Sequence, residues 1–137
     1  MSRVVLDASA ILAYAMGERG SDAVRERLSN AAMSAVNYSE VLKKTIERGG
    51  DAQLIGLLLE RTNVEIVPFD EQQAAAAARL FPATRDKGLS FADRACLALA
   101  LQLKAVLYTA DRRLAEIDAP VRVVLIREAA TQAVKKK

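Results

Sequence analysis

The sequence contains no histidine. That absence removes imidazole general bases, Ser-His-Asp and Cys-His nucleophile systems, and histidine-ligated zinc. A single cysteine, Cys96, rules out an internal disulfide. It lies in the apolar run 95–100 and reads as a small core residue in a reduced, cytoplasmic setting. No apolar run approaches the length of a membrane span. The N-terminal segment has one arginine before it reaches Asp7, which is unlike a signal peptide. Aromatic residues make up only 4% of the chain, so aromatic stacking platforms are scarce.

What is present suits one ordinary domain. The chain has 137 residues, 52% of them hydrophobic, which is enough for a core and argues against wholesale disorder. A single domain spanning 1–137 is expected, with a short basic tail over 128–137. The net charge of +3 and a pI near 9.2 permit a polyanionic partner without requiring one. Lys135, Lys136 and Lys137 inflate both values, and they read equally well as a solvated chain end.

Strand and helix signals alternate. Residues 4–6, Val-Val-Leu, form a short β-branched run ending at Asp7, the pattern of a buried parallel strand. Residues 8–15 favour a helix that Gly17 and Gly20 break, and Ser21 or Asp22 can cap a second helix over 23–28. A weak strand is expected over 31–36. Asn37 is then placed to cap a helix over 38–48 that Gly49 and Gly50 end. Asp51 caps the next helix, whose apolar side is expected from Leu54, Ile55, Leu57, Leu58 and Leu59. A strand at 64–67 stops at Pro68. An alanine-rich helix follows over 71–80, limited by Pro82, and 86–88 reads as a loop. Ser90 opens an apolar helix over 91–103. A strand at 106–108, a short helix after Asp111 and a last strand at 121–126 complete a β-α alternation. That order predicts an α/β fold with a mostly parallel sheet of about five strands, covered on both faces.

Four acids stand where a strand ends or a helix begins: Asp7, Glu40, Asp93 and Asp111. In open α/β sheets, sites form beyond the carboxyl ends of the strands. Asp7 follows the first strand and Asp111 the fourth, while Glu40 and Asp93 are expected in first helical turns. All four then share one edge of the sheet. Three of the acids have a local alternative, and Asp7, directly after an apolar strand at the sheet edge, is harder to dismiss. Asn37-x-x-Glu40 and Ser90-x-x-Asp93 match capping boxes, and Asp111 suits a plain N-cap. Four independent caps need not end at one place, and the joint pattern favours convergence. Clustered carboxylates repel one another unless cations sit among them. An all-oxygen set favours Mg²⁺ or Mn²⁺, and a metal cluster with no thiol or imidazole ligand points first to phosphate chemistry.

The same segments carry a resemblance. Val-Leu-Asp-Ala-Ser-Ala around Asp7, Ser-Ala-Val-Asn-Tyr-Ser-Glu-Val around Glu40, Leu-Ser-Phe-Ala-Asp-Arg-Ala-Cys around Asp93 and Leu-Tyr-Thr-Ala-Asp-Arg-Arg-Leu around Asp111 together resemble the PIN-domain nucleases, and within them the VapC toxins of bacterial toxin–antitoxin pairs. The resemblance extends over essentially the whole chain. It implies a three-layer α/β/α fold and a Mg²⁺- or Mn²⁺-dependent endoribonuclease that inhibits translation and growth. It implies an acidic pocket of Asp7, Glu40, Asp93 and Asp111, with Asp7 and Asp93 at the positions that most often bind metal directly. Ser9 and Thr109 match small hydroxyl positions that orient the carboxylates, or else serve as turn hydroxyls. It implies an RNA substrate, a VapB-type antitoxin and a homodimer, with no membrane partner. Ile11, Leu12, Tyr14 and Met16 offer an apolar surface for the antitoxin, or else belong to the core. Lys43, Lys44, Arg94, Arg112 and Arg113 flank the acids and are candidates for holding RNA phosphates. Tyr38 and Phe91 are the aromatic candidates for a base near the acids, with Phe91 reading more as core.

Three rivals stay open on sequence. One is a PIN nuclease that processes RNA without being a toxin. Another is a non-catalytic PIN module that binds RNA or protein. The third, a receiver-like or phosphatase-like α/β domain, needs a second acid beside its nucleophilic aspartate, and Asp7-Ala8-Ser9 supplies none.

Overall fold

A computed structural model describes residues 3–127. The expected tail over 128–137, with its three lysines, lies outside the described residues. Strands β1 (Val4–Leu6), β2 (Ala31–Ser34), β3 (Glu65–Val67), β4 (Val106–Thr109) and β5 (Val123–Leu125) form a sheet in the order β3-β2-β1-β4-β5. Every pairing is parallel. The chain lays β2 and β3 to one side of β1, then crosses back to place β4 on the other. The change of direction therefore falls between β1 and β4, where a crevice opens beyond the strand ends.

Helices α1 (Ala8–Met16), α2 (Ser21–Arg25), α3 (Ala35–Glu47), α4 (Ala52–Glu60), α5 (Glu71–Arg79), α6 (Phe81–Thr84), α7 (Phe91–Leu103) and α8 (Arg112–Ala115) cover the two faces. The period of two along each strand sorts the core into two layers. Val4, Leu6, Met33 and Tyr108 point to one face, where Ile11, Leu12, Val24, Val41 and Leu59 meet them. Val5, Ala32 and Leu107 point to the other, against Ala77, Leu97, Leu99 and Leu114. Helix α7 packs between α3 and α5 and reaches β1, β2 and β4, so its first turn is held at the crevice. Gly20 has φ +92, and a Cβ there would meet the Ile126 side chain at 2.7 Å, so only glycine lets α2 approach the end of β5 this closely.

Several expectations change. Helix α3 starts at Ala35, not Tyr38, because the Ser34 side chain accepts from the Val36 amide and caps it. The second strand accordingly ends at Ser34. Asn37 is no cap: it is buried inside α3, and its Nδ2 donates to the Ala92 carbonyl at 3.0 Å, tying α3 to the start of α7. Glu40 consequently lies in the second turn of α3, beyond the strongest reach of the helix dipole. Helix α2 is shorter than expected and starts at Ser21, with Gly20 at its cap position. The expected loop at 86–88 is mostly a 3-10 turn, Arg85–Lys87. In α4 only Leu59 is buried, while Leu54 and Leu57 are exposed together with Ile46 of α3. Ile11 and Leu12 are core, Tyr14 is half-buried, and Met16 alone of the four is exposed. Phe91, read mainly as core, is half exposed and meets Phe69 edge-on at 5.4 Å. Among the described residues no helix is long and apolar enough to cross a membrane.

Candidate active site

Asp7 stands at the junction of β1 and α1. It caps α1 from an extended backbone, and its Oδ1 accepts from the Ala10 amide at 2.9 Å. Ser9 donates to the same oxygen at 2.7 Å, and Thr109 at the end of β4 donates to Oδ2 at 2.5 Å. Ser9 Oγ accepts in turn from the Ala110 amide at 2.8 Å, and Thr109 Oγ1 from the Asp111 amide at 3.0 Å. These bonds weld the end of β1 to the loop after β4. Each hydroxyl has one proton, and both protons go to Asp7, so the 3.2 Å Ser9–Thr109 contact is a spacing rather than a further bond.

Asp7 is 4% exposed, and among the described residues no lysine or arginine pairs with it. Burial therefore dominates its electrostatics and pushes its carboxyl up to about 6. The hydrogen bonds from Thr109, Ser9 and Ala10 oppose that rise, and the charge of Asp93 adds to it.

Asp93 sits at the third position of α7 and completes a capping box with Ser90. Its Oδ2 accepts from the Ser90 amide at 2.8 Å and from Ser90 Oγ at 3.1 Å. Its Oδ1 carries no hydrogen bond among the described residues. Asp111 caps α8, and both its oxygens are taken by Arg113: Oδ1 by the amide at 2.9 Å and Nε at 3.3 Å, Oδ2 by a guanidinium nitrogen at 3.0 Å. Partial burial raises the Asp111 carboxyl, but the hydrogen bonds and charge of Arg113 outweigh it and hold the group below its usual value. Arg113 also donates to the Gly88 carbonyl at 3.1 Å. Glu40 faces Lys44 one turn on, at 3.5 Å.

All four acids line one cleft of about 260 Å³, with Ser9, Ser90, Lys44 and Arg113 beside them. The donor set is hard oxygen throughout, which suits a hard divalent cation and no softer metal. Among the described residues no three acids stand as a ready-made ligand group. The reason is visible in the contacts. Asp111 and Glu40 face internal cations, and Asp93 turns one oxygen back to its cap.

The flanking cations divide. Lys44, Arg112 and Arg113 line a second cleft that adjoins the acidic one, together with Arg48 and Arg127, which the sequence reading did not single out. Lys43 pairs with Glu47 at 3.1 Å and lines neither cleft. The Arg94 guanidinium lies over the Phe81 ring at 5.5 Å and also lines neither. Tyr38 is half-buried against the core rather than in the acidic cleft.

Cys96 is fully buried, and its thiol donates to the Asp93 carbonyl at 3.1 Å. Burial pushes the thiol up, and the charges of Asp7, Asp93 and Glu40 push it further, so it stays protonated and inert. Cys96→Ser should leave any activity of the cleft within about twofold, because a protonated buried thiol is no nucleophile. The check is a side-by-side rate assay with thiol-blocking reagent on the folded parent. Inactivation by the reagent would place Cys96 in the mechanism.

The family model of the PIN domain matches residues 4–120. Ribonuclease VapC42 of Mycobacterium tuberculosis is 32% identical over 90 residues, covering 62% of this chain and 66% of that protein. A VapC ribonuclease of Mycobacterium bovis matches with the same identity and coverage. The match thus spans just under two thirds of these relatives' length. A toxin–antitoxin complex from Klebsiella pneumoniae contains a chain that superposes with a TM-score of 0.70 at 18% identity, covering 90% of this chain and 97% of that one. A DNA-bound VapBC from Salmonella typhimurium gives a TM-score of 0.69 at 17% identity, covering 90% and 98%. At these identities the superpositions speak for the fold, which is the parallel α/β/α arrangement described above. With the family model covering β1 to α8 and every segment that lines the acidic cleft, the chain belongs to the PIN domain family.

Proposed function

We propose that this chain is a Mg²⁺- or Mn²⁺-dependent endoribonuclease and the toxin of a toxin–antitoxin pair. It would hydrolyse RNA phosphodiester bonds in the cytoplasm and so inhibit translation and growth. The observation that carries the reading is the state of Asp7. It is a buried carboxylate at the sheet's switch point, held by three neutral donors, with no cation of the described residues on it and three further acids around the same cleft. A fold does not maintain such a group for stability, because burial of an unpaired charge is costly. A divalent cation offsets that cost.

Asp7 and Asp93 are the residues we assign to hold the cation, with Glu40 and Asp111 completing the cluster directly or through water. Ser9 and Thr109 fix the orientation of Asp7. A bound Mg²⁺ or Mn²⁺ would supply activated water near neutral pH without a histidine base and would neutralise phosphate charge. The relatives named as VapC ribonucleases support RNA as substrate, and the toxin–antitoxin and VapBC complexes among the fold's neighbours support a VapB-type antitoxin as partner. A homodimer is part of the same proposal.

The internal partners of Asp111, Glu40 and Asp93 favour one rival, a PIN module that binds RNA without cutting it. Purified, antitoxin-free protein incubated with total cellular RNA separates the two. Discrete new ends that require Mg²⁺ or Mn²⁺, vanish with chelator and are absent in Asp7→Asn are the expected result. Absence of cuts with either metal from a folded protein would overturn the nuclease reading.

A further inference from the structure

We infer that the cleft beside the acidic one is a binding site for backbone phosphates of the RNA strand that flanks the cut, with Arg48 and Arg112 as its open contacts. The inference rests on the nuclease reading and adds where the substrate runs. The neighbouring cleft measures about 470 Å³ and shares Ser9, Lys44, Asp111 and Arg113 with the acidic one, so the two are continuous. Their charges are opposite. Four acids and two cations line the first, whereas Lys44, Arg48, Arg112, Arg113 and Arg127 face only Glu18 and Asp111 in the second. A chain carrying one negative charge per nucleotide, with its scissile phosphate at a cation-filled acidic cleft, meets complementary charge on this side.

The cations are not equivalent. Arg113 is committed to Asp111 and the Gly88 carbonyl. Arg127 donates to the Arg19 carbonyl at 3.1 Å and to Glu18 at 3.0 Å, which fixes its guanidinium at the rim. Arg48, at the C-terminal cap of α3, and Arg112, at the start of α8, are exposed, and their guanidinium groups make no ion pair or hydrogen bond among the described residues. Each keeps its whole donor fork for an anion, and the arginine fork matches phosphate geometry. Arg48 also suits the negative end of the helix dipole, which accounts for its position but not for its sharing a cleft with four other cations. The apolar lining is limited to Leu12 and Ala110, and no aromatic ring is present, so the cleft reads backbone rather than bases.

The test is equilibrium binding of a short, labelled single-stranded RNA of mixed sequence, titrated with salt in Ca²⁺, which occupies hard-oxygen sites. The variants are Arg48→Ala/Arg112→Ala and, as a control of equal charge, Lys43→Ala/Arg79→Ala, whose side chains lie outside both clefts. All four positions are exposed, so the fold is retained, and circular dichroism checks it. The first double variant should bind about tenfold more weakly at low salt, and its log–log salt slope should fall by about 1.4, the value for two single-strand phosphates. The control should bind within about twofold of the parent, with its slope unchanged. A parent-like slope in Arg48→Ala/Arg112→Ala, or equal losses in both variants, would overturn this inference while leaving the nuclease reading standing. A parent that neither binds nor cuts RNA would overturn both.

Discussion

Asp7→Asn is expected to abolish cleavage and, without divalent cation, to make the protein more stable. Both effects follow from one fact. The Asp7 carboxyl is buried, so its charge is disfavoured and its pKa rises from 3.8 to about 6. Folding thus favours the protonated form. The stability contributed by this group is fully present below about pH 3.8 and is lost as pH rises through about 6. The gap corresponds to roughly 3 kcal/mol at neutral pH, since one pH unit is worth about 1.4 kcal/mol. Asparagine removes the charge and keeps Oδ1 for Ala10 and Ser9, while its amide faces Thr109, whose hydroxyl must turn to accept. That rearrangement offsets part of the gain, so a net stabilisation of about 1–2 kcal/mol is expected at neutral pH. Thermal unfolding in chelator, at pH 5 and pH 8, measures it. The advantage of the variant should be smaller at the lower pH. A variant less stable than the parent at pH 8 would show that the hydrogen bonds outweigh the buried charge.

The same substitution should cost cleavage on the order of a thousandfold, because a positioned divalent cation contributes several kcal/mol to such a reaction. Mg²⁺ or Mn²⁺ should raise the melting temperature of the parent and leave that of Asp7→Asn nearly where it was. Cation affinity of the parent should fall as pH drops below about 6, where a proton competes for Asp7. An unchanged response to cation in Asp7→Asn would remove Asp7 from the metal set. A buried carboxylate that costs stability while held in place by three hydrogen bonds is the pattern of a functional group.

How much of this was legible in sequence depended on whether the signal was local. β1 and α7 fall on their expected bounds because each is a short apolar run with a clear start: a strand ending at Asp7, and a helix opened by Ser90. Asp51 and Asp111 were readable as caps for the same reason. The start of α3 was not readable, because Ser34 and Asn37 are both good caps and tertiary packing decided between them. Asn37 is more useful bridging to the Ala92 carbonyl, which leaves the cap to Ser34. The apolar run of α4 promised a buried face, yet Leu54 and Leu57 remain on the surface, since periodicity cannot say whether a neighbour exists to cover a face. At the site, the placement of four acids at one sheet edge followed from strand and helix order alone. Their partners did not. Arg113 reaches back two residues to Asp111, and Arg48 and Arg127 come from the ends of α3 and β5 into a cleft that only the sheet order brings together. The elevated pKa of Asp7 depends on burial, which no spacing encodes.

Asp93 offers the sharper separation of cap from ligand, because the structure gives its two oxygens different work. Oδ2 accepts from the Ser90 amide and hydroxyl, Oδ1 has no hydrogen bond among the described residues, and the side chain lines the cleft with Asp7, Glu40 and Asp111. If Asp93 were only a cap, its importance would scale with helix stability. Asp93→Asn retains an acceptor for the Ser90 amide and should change unfolding free energy by about 0.5 kcal/mol or less. Asp93→Ala loses the box and should cost about 1 kcal/mol, the usual worth of a helix cap. Cleavage should not follow that order. Both variants lack the negative oxygen that a hard cation needs, so both should lose cleavage on the order of a hundredfold or more. Both should also bind Mn²⁺ more weakly than the parent in a direct titration, which reads the metal without reference to turnover. Cleavage retained in Asp93→Asn but lost in Asp93→Ala would return Asp93 to a capping role. Loss in both, with only the alanine variant destabilised, would mean that one side chain serves the helix with one oxygen and the reaction with the other.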